Sequence, residues 1–151
     1  MHHSIGEFFR SPTLWSAVGG WVAASVMKMM VNLRRTGKID FQYMASLGGM
    51  PSAHSAMVSG LATSVGLQEG FGSTLFVLAF AFAAVVMFDA STVRRATGQQ
   101  ARLLNQIVDE LFKAHRLSNV KLRDLLGHTR LEVFVGMLIG IGVGTSINLL
   151  I

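Results

Sequence analysis

The sequence predicts an all-α fold, an integral membrane helical bundle with about four transmembrane helices and a cytoplasmic-side amphipathic helix. Hydrophobic residues make up 51% of the chain and charged residues only 14%, which is too apolar for an ordinary soluble domain. The apolar residues also come in four blocks, each close to the ~20 residues that cross a bilayer. The 151 residues are expected to form one membrane-embedded domain over residues 1–151.

The four apolar blocks are the predicted transmembrane helices. Residues 13–33 are long enough to span, with Lys28 near the end of the block, whereas residues 50–67 carry six Ser, Thr and His side chains and are marginal. Residues 71–88 are strongly apolar, and residues 131–151 are apolar apart from one acidic residue near the start and a few small polar residues. We expect no cleavable signal peptide, because the first block is too long and lacks a basic leader.

The basic residues of the loops lie on one side of these blocks, and the opposite side has only Arg10. Three fall between the first two blocks and eight between the last two: Arg34, Arg35, Lys38, Arg94, Arg95, Arg102, Lys113, Arg116, Lys121, Arg123 and Arg130. Because membrane proteins keep basic loops inside, both loops are predicted to be cytoplasmic and both termini outside. We therefore expect a multi-pass protein of the plasma (inner) membrane. Its net charge of +5 reflects this orientation, so membrane lipids and no nucleic acid are the expected partners.

The first polar motif is Gly-Gly-Met-Pro-Ser-Ala-His at residues 48–54. The glycines permit a tight turn, and Pro51 suits the first position of a helix. The free N–H groups that follow, with the helix dipole, form a natural phosphate cradle to which Ser52 can add a hydroxyl. His54, one turn in, can give or take a proton near neutral pH. The alternative is an ordinary helix start with a polar first turn.

Three further charged features lie at predicted helix ends on the same side. Lys28 is either a cation that faces inward towards a phosphate or a side chain that snorkels to the headgroups. Asp89 ends the third block, and Arg94 and Arg95 follow it. Arginine pairs readily with phosphate. The alternative is that these arginines only anchor the chain and that Asp89 neutralises them.

Two stretches are expected to have packing roles. Residues 98–115 show apolar residues at helical spacing among polar ones, which predicts an amphipathic helix at headgroup level that covers the cytoplasmic mouth. Its apolar stripe is interpreted as a packing surface. Gly136, Gly140 and Gly144 recur at every fourth residue, which favours close helix packing within the bundle and is also compatible with dimerisation.

The last polar motif contains His128 and Glu132. If His128 belongs to the helix of the fourth block, the two residues share a face, because they are four apart. The carboxylate then holds the imidazole in one tautomer and leaves its other nitrogen free to attack. The alternative is a capped helix start with a surface histidine.

The predicted topology brings these motifs to one membrane face. Two histidines, two carboxylates and several cations suit phosphoryl transfer, which needs a nucleophile, a proton donor and cations for the phosphate oxygens. The chain has no cysteine, and its histidines show no zinc-binding spacing. We therefore expect neither a metal nor another cofactor.

Three pieces carry a resemblance to a known family: residues 48–55, residues 88–101 (Phe-Asp-Ala-Ser-Thr-Val-Arg-Arg-Ala-Thr-Gly-Gln-Gln-Ala) and residues 125–136 (Leu-Leu-Gly-His-Thr-Arg-Leu-Glu-Val-Phe-Val-Gly). They resemble the divergent branch of the type-2 phosphatidic acid phosphatase superfamily, which includes the vanadium-dependent haloperoxidases. The resemblance extends over about residues 28–144. It implies that the domain is phosphatase-like.

The superfamily motifs imply roles for individual residues. The Pro-Ser-Gly-His motif resembles residues 51–54, which implies a general acid at His54 and phosphate binding at Ser52 and Ala53. The end of the third motif, His-x3-Asp, resembles His128-x3-Glu132. That match implies a nucleophile at His128 with Glu132 as its orienter.

The first motif, Lys-x6-Arg-Pro, resembles Lys28-x6-Arg35 in spacing and implies two phosphate-binding cations, although Thr36 replaces the proline. Leu122 stands six residues before His128, where the family has an arginine. Arg94 or Arg95 is expected to supply this charge. Four helices fall short of the six that are usual in the membrane enzymes, so a homodimer is expected to complete the bundle.

The function expected from these features is a membrane phosphatase that hydrolyses a lipid phosphate or diphosphate through a phosphohistidine. Phosphatidic acid, phosphatidylglycerophosphate and an isoprenyl diphosphate are candidate substrates. The alternative is a non-catalytic lipid-phosphate binder, carrier or scaffold that retains the pocket. A third hypothesis is a metal-dependent phosphotransferase that uses Asp89.

Overall fold

The structure is a computed structural model that describes residues 5–37, 49–111 and 128–151. All regular structure within these ranges is helical, as predicted. Its helices are α1 (Ile5–Arg10), α2 (Pro12–Thr36), α3 (Ala53–Glu69), α4 (Thr74–Ser91), α5 (Val93–Leu111) and α6 (Arg130–Leu150). Three of these described helices are long and apolar enough to cross a membrane, namely α4, α6 and the Pro12–Arg34 part of α2. The chain is thus a helical membrane bundle.

The helix α3 corresponds to the remaining predicted span, and it occupies the centre of the bundle. It packs against α2, α4 and α6. Its 17 residues rise about 26 Å, which is near the short end of what crosses a hydrocarbon core. Most of its small residues are buried, so α3 is enclosed by the other helices and its polar side chains avoid lipid.

Small residues bring the backbones of α2, α3 and α6 into direct contact. A Cβ on Gly20 would lie 2.5 Å from the carbonyl oxygen of Ala56, and one on Gly60 would lie 2.5 Å from that of Ser16. On α6, a Cβ at Gly140 would collide with Ala56 O and Ser59 Oγ. Because Gly136, Gly140 and Gly144 all face α3, the prediction that the glycine repeat packs within the bundle is confirmed.

A hydrogen-bonded cluster joins the same three helices at the end where α2 begins. Asn148 Nδ2 donates to Ser64 Oγ at 2.9 Å and to Ser16 Oγ at 3.3 Å. Gln68 Nε2 donates to Ser64 Oγ at 2.8 Å, to Asn148 Oδ1 at 2.9 Å and to Thr13 Oγ1 at 3.1 Å. We name these five residues the polar clasp. Sequence analysis missed it, although polar residues within apolar helices commonly bond to neighbouring helices.

The helix α4 packs on one side of α3 and exposes most of its remaining surface. Ala79 and Ala83 of α4 form a small core with Val58 and Ala62 of α3. Seven large side chains of α4 are more than half exposed, namely Leu75, Val77, Leu78, Phe80, Phe82, Val85 and Phe88. Such an apolar surface is what a helix shows to lipid.

The amphipathic helix predicted at residues 98–115 is α5, which begins earlier, at Val93. Among the described helices α5 packs against α4 alone, so it does not cover the mouth of the bundle as expected. Thr92 alone separates α5 from α4, which is why α4 is its neighbour. Leu103, Leu104 and Ile107 are about half exposed, so within the described ranges this stripe is not a packing surface but one suited to the headgroup region.

Candidate functional site

The candidate site lies at the end of the bundle where α3 and α6 begin and α2 ends. The N–H of Ser52 donates a hydrogen bond of 3.0 Å to the carbonyl oxygen of Glu132, which joins the two helix starts. A Cβ on Gly136 would collide with the carbonyl oxygen of Ser52, so the two backbones are in close contact there. The motifs around Ser52 and Glu132, about 80 residues apart in sequence, therefore form one site.

The turn before α3 differs in one respect from the prediction. Gly49 has φ +97°, a conformation that L side chains rarely adopt, and the Met50–Pro51 peptide bond is cis. Ser52, not Pro51, is the residue next to the helix, since α3 begins at Ala53 with Ser52 as its N-cap. The reason is that the Ser52 hydroxyl accepts hydrogen bonds from the Ser55 N–H at 3.4 Å and the Ser55 hydroxyl at 3.0 Å.

The two residues after Ser52 have different surroundings. Ala53 is 8% exposed and packs with Ala24, Ala56 and the half-buried Ile139. Its methyl group, where the superfamily has a glycine, is therefore part of the helix interface. His54 is exposed.

Lys28 is buried in the bundle, with only 2% of its surface exposed. The interpretation that it snorkels to the headgroups is therefore wrong for this structure. The carboxylate of Glu132 is close enough to interact favourably with its ammonium group. Since an isolated charge inside a low-dielectric bundle is unfavourable, Glu132 supplies part of the compensation that allows Lys28 to be there.

The predicted helical relationship between His128 and Glu132 is wrong. The helix α6 begins at Arg130, and Thr129 is its N-cap, so His128 precedes the helix and does not share its face. The reason is a capping box, in which Thr129 Oγ1 accepts from the Glu132 N–H at 3.3 Å and Glu132 Oε2 accepts from the Thr129 N–H at 2.9 Å. The Ser/Thr-x-x-Glu signature at residues 129–132 predicts this cap from sequence.

His128 is nevertheless not a surface histidine, because only 3% of it is exposed. The alternative interpretation predicted a capped helix start with a surface histidine. The cap is confirmed, and the surface position of the histidine is wrong. Glu132 bonds the N–H of Thr129, which belongs to the peptide group directly after His128. In this geometry Glu132 holds the backbone that carries His128.

The other predicted site residues are described only in part. Asp89 is half-buried in the last turn of α4. Arg35 lies in the last turn of α2, and Arg94 and Arg95 lie in the first turn of α5, but the side chains of these arginines are outside the described part of the structure. Leu122 is outside the described residues as well. Within the described ranges, no three His, Asp or Glu side chains come together as a metal-binding group.

Two residues of α2 at this end were missed by the sequence analysis. Ser25 is fully buried and Asn32 is 8% exposed, and both lie on the face of Lys28. Polar residues at positions i, i+3 and i+7 of an apolar helix are the signal that identifies such a face.

Comparison with known proteins supports the motif-based resemblance. The family model described as the divergent PAP2 family matches residues 9–143. The chain is 38% identical over 146 residues to YuiD, an uncharacterized membrane protein of Bacillus subtilis (strain 168), and the alignment covers 89% of this chain and 92% of that relative. No solved structure matches.

Proposed function

The chain belongs to the divergent PAP2 family, and we propose that it is a membrane phosphatase that hydrolyses a lipid phosphate or diphosphate. One observation carries the proposal, namely the hydrogen bond between Ser52 and Glu132 that joins the starts of α3 and α6. The bond brings the α3 N-terminus to the start of α6, which the buried His128 precedes, and the buried Lys28 interacts with Glu132 at the same end of the bundle. Binding of a phosphate group is favoured by a helix N-terminus and a cation, and transfer of its phosphoryl group also needs a nucleophile.

The phosphate group is proposed to bind between Lys28 and the first turn of α3. The positive end of the α3 dipole favours an anion there. Two N–H groups of this turn, those of Ser52 and Ser55, already donate to the Glu132 carbonyl and the Ser52 hydroxyl, so the dipole and the cations carry more of the binding. Glu132 already balances part of the Lys28 charge, so a phosphate that carries two negative charges requires further cations. We assign this role to Arg35, Arg94 and Arg95, whose guanidinium groups can bind phosphate oxygens in pairs.

The proposed reaction has two steps. A ring nitrogen of His128 attacks phosphorus, the bond from phosphorus to the lipid oxygen breaks, and His54 gives its proton to that oxygen. Water then attacks phosphorus and gives a proton to His54, the bond between phosphorus and nitrogen breaks, and inorganic phosphate leaves with both histidines restored. Glu132 acts as a positioning residue, because it bonds the peptide group that follows His128.

A non-catalytic lipid-phosphate binder is the second candidate, and a specific observation favours it. The Glu132 carboxylate caps α6 and interacts with Lys28, so it has two other partners besides any contact with His128. The sequence also lacks an arginine at Leu122. A protein of this kind binds lipid phosphate through the same groups and releases no phosphate.

Phosphate release by the purified protein distinguishes these candidates. We expect release from at least one of phosphatidic acid, phosphatidylglycerophosphate and an isoprenyl diphosphate, unaffected by chelator and abolished by His128→Ala. Ser146→Ala is the matched control, because its hydroxyl bonds the carbonyl of Gly142 on its own helix. Binding without release by the wild type supports the second candidate. Release that is lost with chelator and with Asp89→Ala supports metal-dependent chemistry instead.

We further propose that the site faces the cytoplasm from the plasma membrane, because the basic residues follow α2 and α4 on the side of the site. A Cβ at Gly72 would meet no atom within 4 Å beyond its own neighbours in the chain, and Gln100 is exposed. Both positions are therefore suitable for a cysteine that is to be labelled. In intact cells an impermeant thiol reagent is expected to label Gly72→Cys and not Gln100→Cys. Labelling of Gln100→Cys alone contradicts this orientation. The homodimer remains a prediction, which crosslinking in membranes tests.

A further inference from the structure

The inner face of α2 at the site end carries three buried polar side chains. Ser25, Lys28 and Asn32 are 0%, 2% and 8% exposed. Residues three and four apart on a helix lie on the same side, so these side chains form one polar stripe along this part of the helix. Lys28 already has a role in the proposed phosphate site, whereas the other two have none.

The hydroxyl of Ser25 is unusual among the buried serines. Within the described part of the chain, Ser25 Oγ has no hydrogen-bond partner although the atom is buried. The buried Ser59 shows the ordinary arrangement, since its Oγ donates to the carbonyl of Ser55 at 2.6 Å. A buried hydroxyl without a partner destabilises a protein, so native structures rarely keep one unless a bound molecule satisfies it.

The position of Ser25 indicates which molecule this is. Side chains three residues apart on a helix have Cβ atoms about 5–6 Å apart, so Ser25 is within reach of a group that is bound by Lys28. Its neighbour Ala24 packs against Ala53, in the first turn of α3. Ser25 is therefore on the same helix face as the buried cation, and the residue before it packs against the helix start that forms the proposed phosphate site.

We propose that Ser25 is a further phosphate-binding residue, whose hydroxyl donates a hydrogen bond to an oxygen of the phosphate group held at Lys28. The inference rests on the proposed phosphate site, and it holds for a phosphatase and for a non-catalytic binder alike. The contact is to the phosphate group itself and not to the lipid that carries it.

The test compares Ser25→Ala with the wild type and with Ser59→Ala in purified full-length protein in detergent. Calorimetry measures the Kd for inorganic phosphate and for a short-chain phosphatidic acid, and thermal unfolding measures the Tm without ligand. We expect Ser25→Ala to raise both Kd values about five- to tenfold, the effect of one lost hydrogen bond. Its ligand-free Tm stays equal or rises, because the unsatisfied hydroxyl is gone. Ser59→Ala instead lowers the Tm, since its hydroxyl is bonded to two helices.

Three results overturn the inference. Unchanged Kd values for Ser25→Ala show that the hydroxyl does not touch phosphate, and the proposed function then stands without it. A lower ligand-free Tm shows that the hydroxyl has a structural partner. A weaker Kd for the lipid alone places the contact outside the phosphate group. If the wild type binds neither ligand, the proposed function fails first and this inference fails with it.

Discussion

The N–H of Ser52 and the carbonyl oxygen of Glu132 are 3.0 Å apart, and their hydrogen bond joins the N-terminal turns of two parallel helices. Two positive dipole ends meet there, and Lys28 adds a full charge beside them. Such an arrangement is electrostatically unfavourable unless anionic groups are close. Glu132 is one such group, and a bound phosphate is proposed to be the other.

Glu132→Gln isolates the charge of this residue, because glutamine can still cap a helix at this position. We predict a loss of about 1 kcal/mol of stability, since Lys28 then lacks this opposing charge, and the half-buried Glu132 is partly screened by solvent. Adding Lys28→Met is expected to restore most of the loss, which chemical or thermal unfolding in detergent measures. Strictly additive effects of the two substitutions contradict a charge interaction between these residues.

Gly140→Ala tests the close packing of α6 on α3. The new methyl group meets the backbone of Ala56 and the hydroxyl of Ser59, so the helices must separate. A loss of about 1–3 kcal/mol is expected from overpacking. Gly142→Ala is the matched control on the same helix, because a Cβ there meets nothing within 4 Å. Equal stabilities of the two variants contradict the helix packing described above.

Asn148→Leu removes the central side chain of the polar clasp. Its amide bonds both Ser64 and Ser16, and interhelical hydrogen bonds in membranes contribute about 0.6–1.7 kcal/mol. We predict a loss of about 1–2 kcal/mol on thermal unfolding, while the Kd for phosphate stays unchanged because the clasp is at the opposite end of the bundle. A substantially weaker Kd contradicts the separation of the clasp from the phosphate site. Ser146→Ala controls for the loss of a polar group on α6.

The helix content, the membrane class and the pairing of helix starts could be predicted from sequence because they depend on long periodic signals and on charge placement. The same signals could not show which residue begins a helix. Thr129 and Ser52 are the N-caps of α6 and α3, because their hydroxyls accept hydrogen bonds from backbone N–H groups. Pro51 and His128 therefore precede the helices, whereas both were predicted to lie within them.

Burial was the property that the sequence predicted least well. The inward orientation of the Lys28 side chain is favoured by the charge of Glu132, which lies on a helix about 100 residues later in the chain. Ser25 gives no stronger sequence signal than any serine in an apolar helix, and only its packing shows that its hydroxyl is enclosed. The polar clasp likewise depends on which faces of α2, α3 and α6 meet.

A covalent phosphoenzyme is the most direct test of the proposed chemistry. Purified protein is mixed with a lipid that carries a radiolabelled phosphate and is quenched within one turnover, and the label retained on the protein is measured. We predict a label that is stable to alkali and released by acid, as a phosphoramidate is, present in the wild type and absent from His128→Ala. His54→Ala should form the label more slowly with a lipid leaving group than with a good leaving group, which needs no proton. A label that persists in His128→Ala, or turnover by the wild type with no labelled protein at any time, contradicts a phosphohistidine at His128.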